Sequence, residues 1–142
     1  MSNDAKRDKQ QQELVAAQLE NCRRWIEEGV EKDERAFVSS YVLWASFKLW
    51  EKTKLGGNYW ESIRSLNRFV RRLNTYADSC DCKLLACKAC GIHHDLQIDE
   101  NTSRPFRGFW GLRPVNLSDD QLRWCDTKRE RSTAAELLKM RV

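Results

Sequence analysis

The chain is poor in several things that would fix its function at once. No stretch approaches the roughly 18 consecutive apolar residues that a membrane-spanning helix needs, so no membrane association is expected. The N-terminal stretch is polar and of mixed charge, without the apolar core or small-residue cleavage site of a secretion signal; the expected location is the cytoplasm, with thiols kept reduced. There are only 2 histidines, too few for an HNH-type nuclease, and no His-x-Glu precedes a cysteine pair as a zinc deaminase requires. A Gly-x-x-x-x-Gly-Lys-Ser/Thr phosphate loop is missing, as are a nucleophile–base pair and a carboxylate pair of clear purpose. The protein is not expected to be an enzyme. Neither an internal repeat nor a low-complexity segment interrupts the body of the chain.

What is present suits one modest domain. Of 142 residues, 41% are hydrophobic and 32% charged, enough for a single core under a heavily solvated surface. The net charge of +4 is compatible with nucleic acid without requiring it. Its distribution says more. Arg64, Arg68, Arg71 and Arg72 crowd one segment, Arg104, Arg107 and Arg113 another, and Arg123, Lys128, Arg129 and Arg131 a third, while acidic residues gather at Glu27 to Glu34 and Asp95 to Glu100.

Residues 1–10 read as a disordered tail, since nothing there could bury a face. Val15, Leu19, Cys22 and Ile26 then recur at helical spacing, predicting a first helix over about 10–28 with Gly29 as a left-handed cap and an acidic connection at 31–35. Ser39 and Ser40 can cap a second helix over about 41–54, whose Val42, Leu43, Trp44, Phe47, Leu49 and Trp50 wrap most of its circumference, as in a central buried helix. Gly56 and Gly57 end it, and Asn58 with Glu61 resembles a capping box for a third helix over about 59–76. Beyond residue 80 the helical period is lost. Leu96 and Ile98 alternate with polar residues, and 106–115 is aromatic with interspersed Gly and Pro, so a β-hairpin is expected, with Pro105 and Pro114 suited to edge positions. Ser118 with Gln121, and Thr133 with Glu136, predict a helical extension over 117–142. The class is mainly α with a small hairpin (α+β), the main domain covering 11–116.

The third helix carries the clearest chemical signal. Tyr59, Ile63, Leu66, Val70 and Leu73 form one face, with Arg64, Arg68, Arg71 and Arg72 across from it and Asn67 on the flank. An ordinary solvated face has the same look. Yet a helix that packs by one side and offers guanidinium and carboxamide groups on the other has what major-groove reading needs, since Arg pairs bidentately with guanine, Asn with adenine, and the remaining charges hold phosphates.

Residues 80–94 hold 4 of the 6 cysteines and both histidines. Cys87-Lys-Ala-Cys90-Gly is a knuckle in which two thiolates flank a turn, and tetrahedral zinc needs four such ligands. Six candidates (Cys80, Cys82, Cys87, Cys90, His93, His94) compete for four places. Cys82, Cys87, Cys90 and His93 are the first choice, Cys80 and His94 the substitutes, and an all-cysteine set is nearly as good. A structural zinc is expected, while Cys22 and Cys125, at apolar helical positions, read as core.

The order of these parts, with Val38-Ser39-Ser40-Tyr41 leading into Trp44, Phe47 and Trp50, then Phe69 and Leu73, then Phe106-Arg107-Gly108-Phe109 with Leu112-Arg113, resembles the C-terminal winged-helix domain of phage, plasmid and poxvirus primase–helicases. The resemblance covers about residues 12–115 and implies a winged helix-turn-helix with a zinc-stabilised insertion at 80–94. That insertion departs from the family, whose wing is short, and the family's ATPase and primase portions are absent. The resemblance implies a DNA-binding replication accessory or regulator of a phage or other mobile element, its third helix in the major groove of duplex DNA and Arg104 and Arg107 on the wing. The alternative is a zinc-containing protein-interaction module, a phage-encoded inhibitor or adaptor, that meets a protein partner through Trp110 and Trp124.

Overall fold

The computed structural model describes residues 3–56, 60–80, 88–89, 91–98, 103 and 105–120. Its elements run α1 (Asn3–Gly29), β1 (Val30–Ser39), α2 (Ser40–Leu55), α3 (Leu66–Asp78), β2 (His93–Ile98) and β3 (Pro105–Pro114), so the class is α+β. The strands form one antiparallel sheet in the order β1-β3-β2, and the helices bury one face of it.

α1 starts at Asn3 and takes in most of the segment expected as a tail. Residues 5–13 of it are exposed, and they are dominated by Ala, Lys, Arg, Gln and Glu, which lose little on entering a helix even where no face is buried. At its other end Gly29 is not left-handed, in contrast to the expected cap. A Cβ there would lie 2.9 Å from Cδ1 of Trp25, so glycine is required by the buried indole rather than by the backbone angle.

The acidic connection expected after α1 is instead β1. It pairs with β3 from Val30↔Pro114 to Ser39↔Gly108, with a bulge between Asp33 and Phe37. Val30 is buried and Val38 packs against the core, so the charges at 31–35 hid an anchored strand. β3 is therefore the central strand, and its prolines stand at its two ends rather than on an edge.

α2 matches its expected span within a residue. The Ser39 hydroxyl caps it by accepting the Val42 N–H at 3.3 Å, and Gly56 ends it at φ 83°. It is the central helix, with Val42 to Phe47, Trp50 and even Glu51 buried. Around it Trp25, Trp44, Phe47, Trp50 and Phe69 form one aromatic cluster with centroids 5.1–6.4 Å apart. Trp25 Nε1 donates to Ser46 Oγ at 3.0 Å, and Ser46 Oγ donates to Asn116 Oδ1 at 2.6 Å, so the indole enters the core with its N–H satisfied.

The third helix begins at Leu66, about two turns later than the sequence suggests. Glu61 sits in a turn, and Ser65 is the N-cap, its hydroxyl accepting the Arg68 N–H at 3.2 Å. The cause is tertiary. Buried Glu51 accepts the Ile63 N–H at 3.1 Å, Lys48 donates to Ile63 O at 3.0 Å, and Gln18 donates to Ser62 O at 3.4 Å. These bonds claim the backbone groups that a helix through residue 63 would use for itself.

Within the hairpin, Leu96 and Ile98 are 50% and 61% exposed, because the strand runs beyond the cover of the helices and leaves its apolar positions in solvent. Asp119 and Asp120 begin a helical turn, and the rest of the expected extension lies outside the described residues.

Candidate nucleic-acid interface and the cysteine/histidine segment

α3 is held by Phe69 and Leu73, both fully buried, with Leu66, Val70, Tyr76 and Ala77 partly buried against the same core. Positions three and four apart share a helix face, so fixing this side turns Asn67, Arg68, Arg71, Thr75 and Asp78 outward, and all five are exposed. Arg64 is exposed too, but it lies in the extended segment before Ser65 and not on the helix. Among the described residues, none of Arg64, Arg68 or Arg71 has an ion-pair partner.

Arg72 behaves differently. It is half-buried, and its Nε donates to Gln18 Oε1 at 2.8 Å, tying α3 to α1. Burial lowers its pKa, as do the neighbouring charges of Arg68 and Arg71. The three guanidinium groups thus feel one another, and an anion placed over them would relieve that repulsion. Arg72 is a positioning group, not one of the outward face. Thr75, which the sequence reading passed over, belongs to that face; its spacing of four from Arg71 was the available signal.

Of the two expected wing arginines, Arg107 is exposed on β3 opposite Leu96, and Arg104 lies outside the described residues. Trp110 is half-buried on the sheet face away from the helices, its ring 5.1 Å from Phe37 and its Nε1 donating to Asp95 Oδ2 at 2.9 Å. Trp124 and Cys125 lie outside the described residues.

Of the six candidate zinc ligands, Cys82, Cys87 and Cys90 lie outside the described residues, and no group of three metal-ligating side chains occurs among those described. Of the remaining three, strand geometry separates the two histidines. His93 opposes Trp110 and His94 opposes Phe109, so the two imidazoles point to opposite faces of the sheet. His93 is exposed, with Nδ1 3.1 Å from Gly91 O. His94 lies against Phe109, centroids 4.9 Å apart, on the helix side where Cys80 also packs against the core. Its Nε2 is buried and, among the described residues, has no hydrogen-bond partner; burial, followed by the nearby Arg107 charge, lowers its pKa and keeps the ring neutral, the form that ligates. His94 thus suits a ligand role better than His93.

The described part of the segment around residues 88–92 is also built into the core. Ala89 and Ile92 are buried, and Lys88 Nζ donates to Glu27 O at 2.9 Å, in the last turn of α1, and to Val30 O at 3.0 Å, at the start of β1. Gly111, at φ 99°, lets the chain pass close: a Cβ there would meet Gly91 O at 2.9 Å.

Cys22, fully buried in the core, has its thiol pushed up to about 12, by burial first and then by the Glu51 charge, so it is a packing residue and not a nucleophile. A shallow open depression beside α1, lined by Arg7, Gln10, Gln11, Glu13, Leu14 and Trp60, gathers no catalytic grouping. Among the described residues no helix is long and apolar enough to cross a membrane. No protein-family model, no curated protein and no solved structure matches the chain.

Proposed function

We propose that this protein is a winged-helix protein that binds duplex DNA, with α3 in the major groove and the β2–β3 hairpin as the wing. The element order, and a sheet in which the strand between the first two helices pairs with the last strand of the hairpin, support that reading. The observation that carries it is the face made by Asn67, Arg68, Arg71 and Thr75 with Arg64 just before it, whose guanidinium groups have no ion-pair partner among the described residues. Unpaired guanidinium groups on a helix fixed by its opposite side are the arrangement that phosphates and guanine edges reward. Base reading falls to Asn67, Arg68 and Arg71 in the first turns of the helix, and phosphate contact to Arg64 and the wing arginines Arg104 and Arg107. No catalytic role is proposed; the setting that fits is replication or regulation in a phage or other mobile element.

A structural zinc belongs to the same proposal. Cysteines of the 80–90 segment and His94 would hold it, and the buried, unpartnered His94 Nε2 supports that set. Bound there, zinc would organise a segment too short to fold on its own core.

The test is a titration of a random-sequence duplex against salt, beside zinc content by mass spectrometry of the native protein. Salt-sensitive binding, with stoichiometric zinc whose removal lowers the melting temperature, is the expected outcome. Absence of binding at low ionic strength sinks the DNA reading, and a metal-free native protein sinks the zinc reading.

A further inference from the structure

The geometry points to a second interaction surface along β2 and the sheet face beside it, shaped for a basic, aliphatic-bearing segment of a partner protein. It does not rest on DNA binding and stands or falls separately.

Three observations lead to it. First, β2 is an edge strand, and among the described residues no strand lies beyond it. Its six pairs with β3 are in regular register without a bulge, and β2 itself carries neither a proline nor a lysine, devices that commonly guard an edge. Second, Leu96 and Ile98 on this strand are two of the four large hydrophobic residues exposed among those described. Side chains of that size in solvent, adjacent on one strand face, mark contact sites more often than chance surface. Third, the charge is of the opposite sign to that of α3. Directly opposed residues share a sheet face, so Asp95, Asp33 and Glu31 lie on the face that carries Phe37, Phe106 and Trp110. The cation within that set, Arg113, is already paired with Glu31 and, at 3.8 Å, with Asp33. Lys32 opposes the buried Leu112 and belongs to the other face, and Arg35 lies in the bulge, its N–H bound to Asp33.

Asp95 is the centre of the surface. Its carboxylate accepts from Trp110 Nε1 at 2.9 Å, Gln97 Nε2 at 2.8 Å and the Leu96 N–H at 2.7 Å, and these donors fix its position. The group is thus an anion beside an aromatic ring on one face of β2, while Leu96 and Ile98 stand on the other face of the same strand, so the partner straddles this edge to meet both. Phosphates are repelled there; an Arg or Lys side chain is attracted. Because Asp95 takes up the Leu96 N–H, the edge is partly capped, and the partner is held by side chains and not by joining the sheet as a further strand.

The experiment titrates the isotope-labelled full chain with a peptide of about a dozen residues in which Arg and Leu side chains are interspersed. Amide shifts are expected at residues 93–98, with a shift of the Trp110 indole. Asp95→Asn, and separately the double variant Leu96→Ser with Ile98→Ser, should each weaken the peptide by about tenfold. Both act at groups whose loss leaves the core intact, and an unchanged amide spectrum elsewhere checks this. The inference is overturned if no shift appears at β2, if the shifts centre on α3, if a peptide with Glu in place of Arg binds equally well, or if both variants bind as the parent does.

Discussion

Replacing Arg71 by Gln tests the DNA reading where the geometry is simplest. Arg71 is exposed and without an ion pair among the described residues, so the substitution removes a charge without removing packing, and the melting temperature should hold. If Arg64, Arg68, Arg71 and Arg107 each neutralise one phosphate, the slope of log affinity against log salt is about −3.6, and affinity falls about 150-fold between 50 and 200 mM salt. Removing one contact brings the slope to about −2.7 and the fall to about 40-fold. If Arg71 reads a guanine, the role proposed for it above, the slope stays put while the preference for the best site drops by about 1–3 kcal/mol. Fluorescence anisotropy across a salt series, on random and selected duplexes, separates the two. A variant that changes neither slope nor preference would refute the assignment of this helix face.

Other substitutions probe what holds that face in place. Phe69→Ala removes a fully buried ring from the aromatic cluster and should cost about 3–5 kcal/mol in chemical denaturation. Glu51→Ala leaves the Ile63 N–H without its acceptor and takes the paired carboxylate from Lys48 Nζ, which keeps only Ser62 Oγ and Ile63 O; it should cost about 2–3 kcal/mol, and amide exchange at Ile63 should speed up more than in the rest of the core. Cys22 should resist thiol reagents in the native protein at pH 8 and react once it is unfolded, as labelling followed by peptide mapping would show. Because folding raises this thiol's pKa to about 12, its contribution to stability is complete below the unfolded value near 8.5–9 and is lost as pH climbs from there towards 12.

The helices were legible wherever one apolar stripe met one core. The second helix, with its caps at Ser39 and Gly56, could be read nearly to the residue, and the hairpin could be placed. The errors share a cause: contacts distant in sequence overrode a local signal. The charged run at 31–35 gives no hint of a strand because its partner lies some 80 residues away. Asn58 with Glu61 imitates a cap, but the segment after it is claimed by Glu51, Lys48 and Gln18 from two other helices. Of the arginine set, Arg68 and Arg71 follow from helical spacing alone, whereas Arg64 fell off the helix with its delayed start and Arg72 was drawn inward by a glutamine of α1. The alternation of Leu96 and Ile98 gave the strand but not which of its sides is exposed, since a period of two does not say which face is covered.

The pairing of the earliest strand with the latest has a bearing on how the chain reaches this state. Val30 meets Pro114, so during synthesis the first strand must wait, unpartnered, until nearly the whole domain has left the ribosome. Helical turns form within microseconds from neighbouring residues, but closing so wide a loop is slow and becomes favourable only once the intervening core can close with it. Any truncation ahead of residue 105 deletes the central strand itself, and the two edges it joins are then left with no neighbour in common.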